Sequence, residues 1–331
     1  MGHAWNTISP SRVAANESEG KLTRETIGQL GLGVIGRLYA GHLVHKHGDV
    51  VVYDIVSERV ATVVALGAAP AHSPRDLGSR AATVVVSLPD PHAVEAALTG
   101  DEGLIAGMAP GGLIIDASTV DPATSRRMHV VAAARGIGYL DAPVSGGEPM
   151  SAGEVGARKA NVSFIVGGDA ADFERARPTL ALLGSRWFHV GGPGAGSTVK
   201  LISNLMAGLH NLVAAEGFAL GAAAGFSPEQ LLEVFDGTDA RSYHLTDYAA
   251  PRLVARDFEP GFSIDLQLKD HRLAAGLGHE LGVPLLLNQL AVGVYEMIHA
   301  EGSGGKDIVE AFRFLARLGN ADIYDPRPRS D

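Results

Sequence analysis

Three groups of residues in this chain have types and spacings that could do chemistry. The first is the string Gly31, Leu32, Gly33, Val34, Ile35, Gly36 (GLGVIG), with an acid, Asp54, 23 residues after Gly31. The second is Ser145, Gly146 and Gly147, closing the run DAPVSGG (141–147). The third is Lys200 with Asn204 four residues on, inside GPGAGSTVKLISN (192–204). A lysine near the start of a helical pattern meets the positive end of the helix dipole, so it needs a reason to be there. A phosphate-loop role fails. That motif requires glycine immediately before the lysine and Ser or Thr after it, whereas Val199 and Leu201 flank Lys200.

Each group suggests its own chemistry. In G-x-G-x-x-G, Gly31 permits the tight turn, Gly33 lets backbone approach a pyrophosphate, and Gly36 lets the following helix pack on the strand. Asp54 can accept from ribose hydroxyls and would repel a 2′-phosphate, which favours NAD over NADP; Arg59 is the residue that could instead reach such a phosphate. Ser145 with the amides of Gly146 and Gly147 can make a compact carboxylate cradle. The same pattern also fits an ordinary strand-end turn, and the residues alone leave the two readings level. Lys200 and Asn204 share a helix face. A partly desolvated lysine there loses basicity, as proton transfer near neutral pH requires. The bland alternative is an exposed lysine whose stem covers apolar neighbours.

Elements able to position these groups can be read from the pattern. Apolar runs predict strands at 26–31, 49–54, 82–89, 111–118, 138–144, 162–168 and 186–191. Helical stretches such as ERVATVVALG and DFERARPTLALLG lie between some of them, as in βαβ units. After about residue 190 the patterns are helical to about 319, starting with one long segment over 196–225. Pro228, Pro251, Pro260 and Pro284 lie at or near the starts of later helices. The expectation is an α/β fold with a flexible extension over 1–25 and a Rossmann domain over 26–191. A long connecting helix over 192–225 and a helical domain over 226–331 follow.

Composition narrows the function. The 331 residues are 46% hydrophobic and 19% charged, with a net charge of −10, which argues against a broad nucleic-acid footprint. There is no cysteine, which excludes disulfides, thiolate metal sites and cysteine nucleophiles. The first twenty residues hold no apolar run of signal-peptide length. The most apolar long segment, LVAAEGFALGAAAGF, is interrupted by Glu216, so no membrane span is expected. The expectation is a cytoplasmic protein. His42, His45 and His47 are spaced as a solvated helix face rather than a metal set, and no metal site is expected. Asn211 and Glu216 read as polar groups within a core helix. Arg241, in RSYHLTDY (241–248), could meet a second anionic group.

Five motifs, GLGVIG, DASTV (116–120), DAPVSGG, GAGSTVKLISN and LQLKD (266–270), stand in the order found in the β-hydroxyacid dehydrogenase family, typified by 3-hydroxyisobutyrate dehydrogenase. The chain resembles that family over about residues 26–319. The resemblance implies a Rossmann domain followed by a helical domain of 6-phosphogluconate dehydrogenase type. It also implies NAD(P)-dependent oxidation of a small β-hydroxy acid to its semialdehyde, or the reverse, by a homodimer or homotetramer. By that likeness Lys200 is the general acid/base, Asn204 helps hold the substrate, and Ser145, Gly146 and Gly147 anchor its carboxylate. Leu88, Pro89 and Thr119 would lie along the cofactor, and Lys269 would close over the nicotinamide side.

There are departures from the family pattern. Ser203–Asn204 stands where two asparagines are common, EPMSAGEVGARKAN (148–161) is longer than usual, and His271 follows Lys269–Asp270 in place of leucine. Imine reductases share the architecture but typically carry Asp or Tyr at the position of Lys200. A non-catalytic NAD-binding sensor on this fold would be expected to lack the lysine and the serine–glycine turn.

Overall fold

The computed structural model describes residues 25–146 and 153–326. Gly147, the stretch to residue 152 and nearly all of the expected N-terminal extension lie outside the described residues. Strands β1 (Ile27–Leu30), β2 (Val50–Tyr53), β3 (Ala69–Pro70), β4 (Thr83–Val86), β5 (Leu113–Asp116), β6 (Gly138–Asp141), β7 (Val144–Ser145), β8 (Val162–Gly167) and β9 (Gly184–Gly191) form one sheet. Seven match the apolar runs. The other two, β3 and β7, have two residues each, too short to show a period of two.

The order β3-β2-β1-β4-β5-β6 is parallel throughout. Beyond it β8 runs antiparallel to β6 and β7, and β9 runs parallel to β8. Ile27–Leu30 of β1 pairs residue for residue with Val50–Tyr53 on one side and Thr83–Val86 on the other. The chain therefore leaves β1 in one direction and returns on its opposite flank, opening a crevice at the carboxyl ends of β1 and β4. Successive residues feed different cores. Val52, Val85 and Ile115 join Tyr39, Leu43 and Phe164 on one face, while Val51, Val84, Val86 and Ile114 join Leu77 and Leu98 on the other. Burial on both faces explains why these strands read as unbroken Val/Ile runs.

Helices α1 (Val34–Lys46), α2 (Ser57–Val64), α3 (Pro74–Arg80), α4 (Pro91–Leu98), α5 (Leu104–Gly107), α6 (Pro122–Ala133), α7 (Gly153–Arg158) and α8 (Ala170–Leu183) lie between the strands. Then come α9 (Ala195–Ala223), α10 (Pro228–Asp236), a π-helical turn Tyr243–Ala249, and α11 (Ala250–Ala255). The remainder are α12 (Ile264–Glu280), α13 (Leu286–Ile298), a second π turn His299–Ser303, and α14 (Glu310–Leu318). Four helices start with one device, a capping side chain followed by proline: Ser73–Pro74, Asp90–Pro91, Asp121–Pro122 and Ser227–Pro228.

The 29-residue α9 organises the rest. Its buried face includes Lys200, Asn204, Gly208, Asn211, Ala215, Phe218 and Ala222, recurring at three- and four-residue spacing. Its first turn sits hard against the sheet. A Cβ on Gly196 would lie 2.4 Å from the Ile165 carbonyl oxygen and 2.5 Å from that of Asp141. Gly196→Ala must therefore push α9 off β6 and β8, and should cost about 2 kcal/mol or more in urea unfolding. Gly217→Ala, on the same helix with nothing within 4 Å of the new carbon, should instead stabilise by about 0.5–1 kcal/mol. Equal effects from the two variants would contradict this packing.

Candidate active site

The glycine string follows β1 and opens α1, and its three glycines differ in what surrounds them. Gly31 has φ +85°, and a Cβ there would lie 2.3 Å from the Ser87 carbonyl oxygen. Gly36 would drive a Cβ to 2.0 Å from the carbonyl oxygen of Gly31. Gly33 meets nothing within 4 Å and precedes a first turn without a side-chain cap. The outer two thus close the turn, and the middle one borders open space facing orphan helix amides, which suits a dinucleotide pyrophosphate. Of the others, Leu32 is fully buried, while Val34 is 47% exposed.

Asp54 follows β2. Its Oδ2 accepts from the Leu32 amide at 2.6 Å and its Oδ1 from the Val56 amide at 2.8 Å, so the acid also holds the glycine turn in shape. The Arg59 guanidinium stands 3.6 Å from Oδ1.

A chain of contacts runs from this turn to Lys200. A Cβ at Gly31 would meet the Leu88 side chain at 2.9 Å. The Leu88 amide donates to Ser118 Oγ at 2.9 Å. The Thr119 carbonyl accepts from Lys269 Nζ at 2.8 Å, which joins the loop after β5 to α12. Lys269 also pairs with Asp270 at 3.0 Å, and Asp270 Oδ2 accepts from Asn204 Nδ2. One helical turn before Asn204, Lys200 is buried at 7% exposure. Burial pushes its pKa down from 10.5 to about 8; Asp270 opposes the shift and Lys269 adds to it. A buried amine near neutrality, close to a carboxylate and an amide, can take and return a proton.

Two acids beneath the site were not assigned a role by sequence reasoning. Asp141 accepts from the Gly194 amide at 2.8 Å and the Ser197 amide at 2.7 Å, capping α9 from a strand 53 residues away. Asp116 accepts from the Ser118 amide at 2.9 Å and the Tyr139 hydroxyl at 2.7 Å, fixing the turn that carries Thr119. Burial raises the proton affinity of both, and their hydrogen-bond donors oppose it. Ser125 and Ser197 share a buried hydroxyl contact at 2.8 Å that ties α6 to α9. Asp270 lay inside a quoted motif, but nothing in its spacing marked it as the shared acceptor.

Ser145 ends β7 opposite Ser163 of β8 and is half-buried, four residues after Asp141 at the end of β6. Gly146 follows it, and Gly147 falls outside the described residues. Pro89 is exposed beside the half-buried Leu88, in the loop before α4. Three other expectations are corrected. Glu216 is exposed, because its position falls on the outer face of α9, whereas Asn211 is fully buried and donates to the Ile308 carbonyl at 3.0 Å. Arg241 pairs with Asp236 at 3.3 Å on the surface. His42 is half-buried, its ring bonded to the Ala157 carbonyl at 2.8 Å rather than turned to solvent.

A parallel sheet with this glycine turn at its switch point, joined to a buried lysine of low basicity, defines an NAD(P)-dependent oxidoreductase acting on a CH–OH group. Residues 26–191 match the family described as the NAD-binding domain of 6-phosphogluconate dehydrogenase. Residues 194–315 match that described as NAD-binding of NADP-dependent 3-hydroxyisobutyrate dehydrogenase. The chain is 35% identical to a 2-(hydroxymethyl)glutarate dehydrogenase of Eubacterium barkeri, covering 90% of this chain and 97% of that one. It is 36% identical to a 3-hydroxyisobutyrate dehydrogenase of Pseudomonas aeruginosa, covering 82% and 91%. A solved Mycobacterium tuberculosis 3-hydroxyisobutyrate dehydrogenase with L-serine superposes with a TM-score of 0.80 at 29% identity, covering 88% and 99%. The chain belongs to the β-hydroxyacid dehydrogenase family.

The low basicity of Lys200 has a consequence for stability. Between about pH 8 and 10.5 the unfolded chain holds the Lys200 proton more tightly than the fold does, so this group's contribution to stability rises with pH across that window. Below it, the buried ammonium costs up to about 3 kcal/mol. Lys200→Met should raise the Tm at pH 7, with the gap to the parent closing as pH approaches 10. A Met variant less stable than the parent at pH 7 would contradict the burial.

Proposed function

We propose that this enzyme oxidises a small β-hydroxy acid to its semialdehyde, or reduces the semialdehyde, with Lys200 as the general acid/base. The observation that carries this reading is the enclosed Lys200 amine on one helix face with Asn204, linked through Asp270 and Lys269 to the Thr119 carbonyl on the cofactor edge. The Gly31–Gly36 turn would hold the pyrophosphate and Asp54 the ribose, which favours NAD. Leu88, Pro89, Thr119 and Lys269 would flank the rest of the cofactor. When bound, the nicotinamide supplies the hydride acceptor for oxidation or the donor for the reverse.

Ser145, with the amides of Gly146 and Gly147, would anchor the substrate carboxylate. Asn204 would hold the hydroxyl in line with Lys200, whose neutral amine removes the hydroxyl proton in oxidation; in reduction the ammonium gives a proton back to the forming alkoxide. Residues 26–191, 192–225 and 226–331 would serve as cofactor domain, connecting helix and helical domain. A homodimer or homotetramer is supported by the unpartnered stripe on α9, where Ile202, Val213 and Leu220 are 50%, 68% and 74% exposed. A cytoplasmic location accords with the cysteine-free composition. One described helix, Ala195–Ala223, is long and apolar enough to cross a membrane, but it carries Lys200 and Asn204 on a packed face, as a core helix does.

Assay of NADH formation against a panel of small hydroxy acids tests the reading. For an accepted substrate, kcat/KM for oxidation should rise with pH and level off above about 8, following loss of the Lys200 proton. Lys200→Met should lower kcat by about 10²–10⁴-fold while NADH affinity by fluorescence stays within about twofold. Near-normal turnover in that variant would reject the assignment.

A further inference from the structure

We propose that Asp270 is the positioning residue of this site, its buried carboxylate holding Lys269 on one oxygen and Asn204 on the other, so that this lysine and the amide keep fixed places. This deepens the reading above and rests on it for the reaction, though not for the geometry. Asp270 is 2% exposed. Its Oδ2 accepts from Asn204 Nδ2, which directs the amide oxygen of Asn204 away from the carboxylate as an acceptor. The Asn204 backbone is secured independently, since Gln267 Nε2, one turn earlier on α12, donates to its carbonyl at 3.1 Å. Asp270 Oδ1 is enclosed and has no aligned hydrogen bond, with the Lys269 nitrogen 3.0 Å away as its ion-pair partner. A buried carboxylate oxygen without an aligned donor costs free energy unless a nearby cation serves it.

Two cations compete for that anion. Lys269 spends part of its donor capacity on the Thr119 carbonyl, at the cofactor edge. Lys200 lies in the field of the same carboxylate, which favours its charged form while Lys269 disfavours it. The other titratable groups packed here are Asp141, which caps α9, Asp116, which serves Ser118 and Tyr139, and His271, whose Nδ1 meets Asn288 at 2.6 Å while its Nε2 is enclosed against Gly208 of α9 without a hydrogen-bond partner. Burial lowers the His271 pKa, and Asp270 opposes that shift. Burial is the main cause of the low basicity of Lys200, and Asp270 and Lys269 adjust it with opposite signs.

The opposite signs make the test specific. The whole chain, without substrate or cofactor, is labelled with trace acetic anhydride across pH 6–11, and modification of Lys200 is followed by mass spectrometry. Asp270→Asn, close to isosteric, should lower the Lys200 midpoint by about one pH unit, and Lys269→Met should raise it. A residue serving only to fill space would move neither midpoint, or both in one direction; either outcome overturns the proposal. Should Asp270→Asn fail to fold, an unshifted or lowered midpoint in Lys269→Met alone overturns it. In the loaded enzyme Asp270→Asn should cut kcat more than tenfold, with the pH profile displaced to match the labelling. Opposed labelling shifts without hydroxy-acid turnover would leave Asp270 in place and reject the proposed reaction instead.

Discussion

Where the sheet meets α9, the carboxylate of Asp141 accepts from two backbone amides at the helix's start, those of the N-cap Gly194 and of Ser197 in the first turn. Those amides have no partners within the helix, and glycines at 194 and 196 leave no local side chain to cap them. Gly194 takes a left-handed backbone conformation, and Gly196 lets the helix approach the strands closely enough for a strand residue to do the capping. Burial pushes the pKa of this acid up, and the two amides oppose that shift. Lys200 follows Ser197 by three residues, so the place of the amine in the cleft depends on this junction.

A second constraint is electrical. A lysine buried this deeply is tolerable only because it can exist as a neutral amine or draw on a carboxylate nearby, and this site offers both. The arrangement extends to the cofactor side through few intermediaries. Asp116 holds the turn at Ser118, the next residue's carbonyl receives Lys269, and Lys269 shares Asp270 with Asn204. A displacement of the loop after β5 would therefore be felt at Asn204 without any contact between the two.

Much of this was legible in the chain itself. Strands buried on both faces announce themselves as Val/Ile runs, and four Ser–Pro or Asp–Pro pairs mark helix starts because cap and proline act locally. The glycine turn was readable for the same reason, since each glycine answers a backbone demand within a few residues. Lys200 and Asn204 were visible as a four-residue pair. What stayed hidden depends on contacts between distant segments. Nothing near Asp141 indicates that it caps a helix more than fifty residues later, and Asp270 meets Asn204 only because α12 packs along α9. Glu216 misled in the opposite way, because an interruption in an apolar stretch does not reveal which face of the helix it occupies.

The central claim is that the Lys200 nitrogen faces the reacting hydroxyl across the crevice between sheet and helices. A crystal structure of the chain with NADH and a hydroxy acid accepted in the substrate panel tests it most directly. The account predicts Nζ about 3 Å from the hydroxyl oxygen, with the carboxylate on the turn at Ser145. A bound acid whose hydroxyl lies beyond hydrogen-bond reach of Lys200, and is met by some other proton carrier, would contradict it.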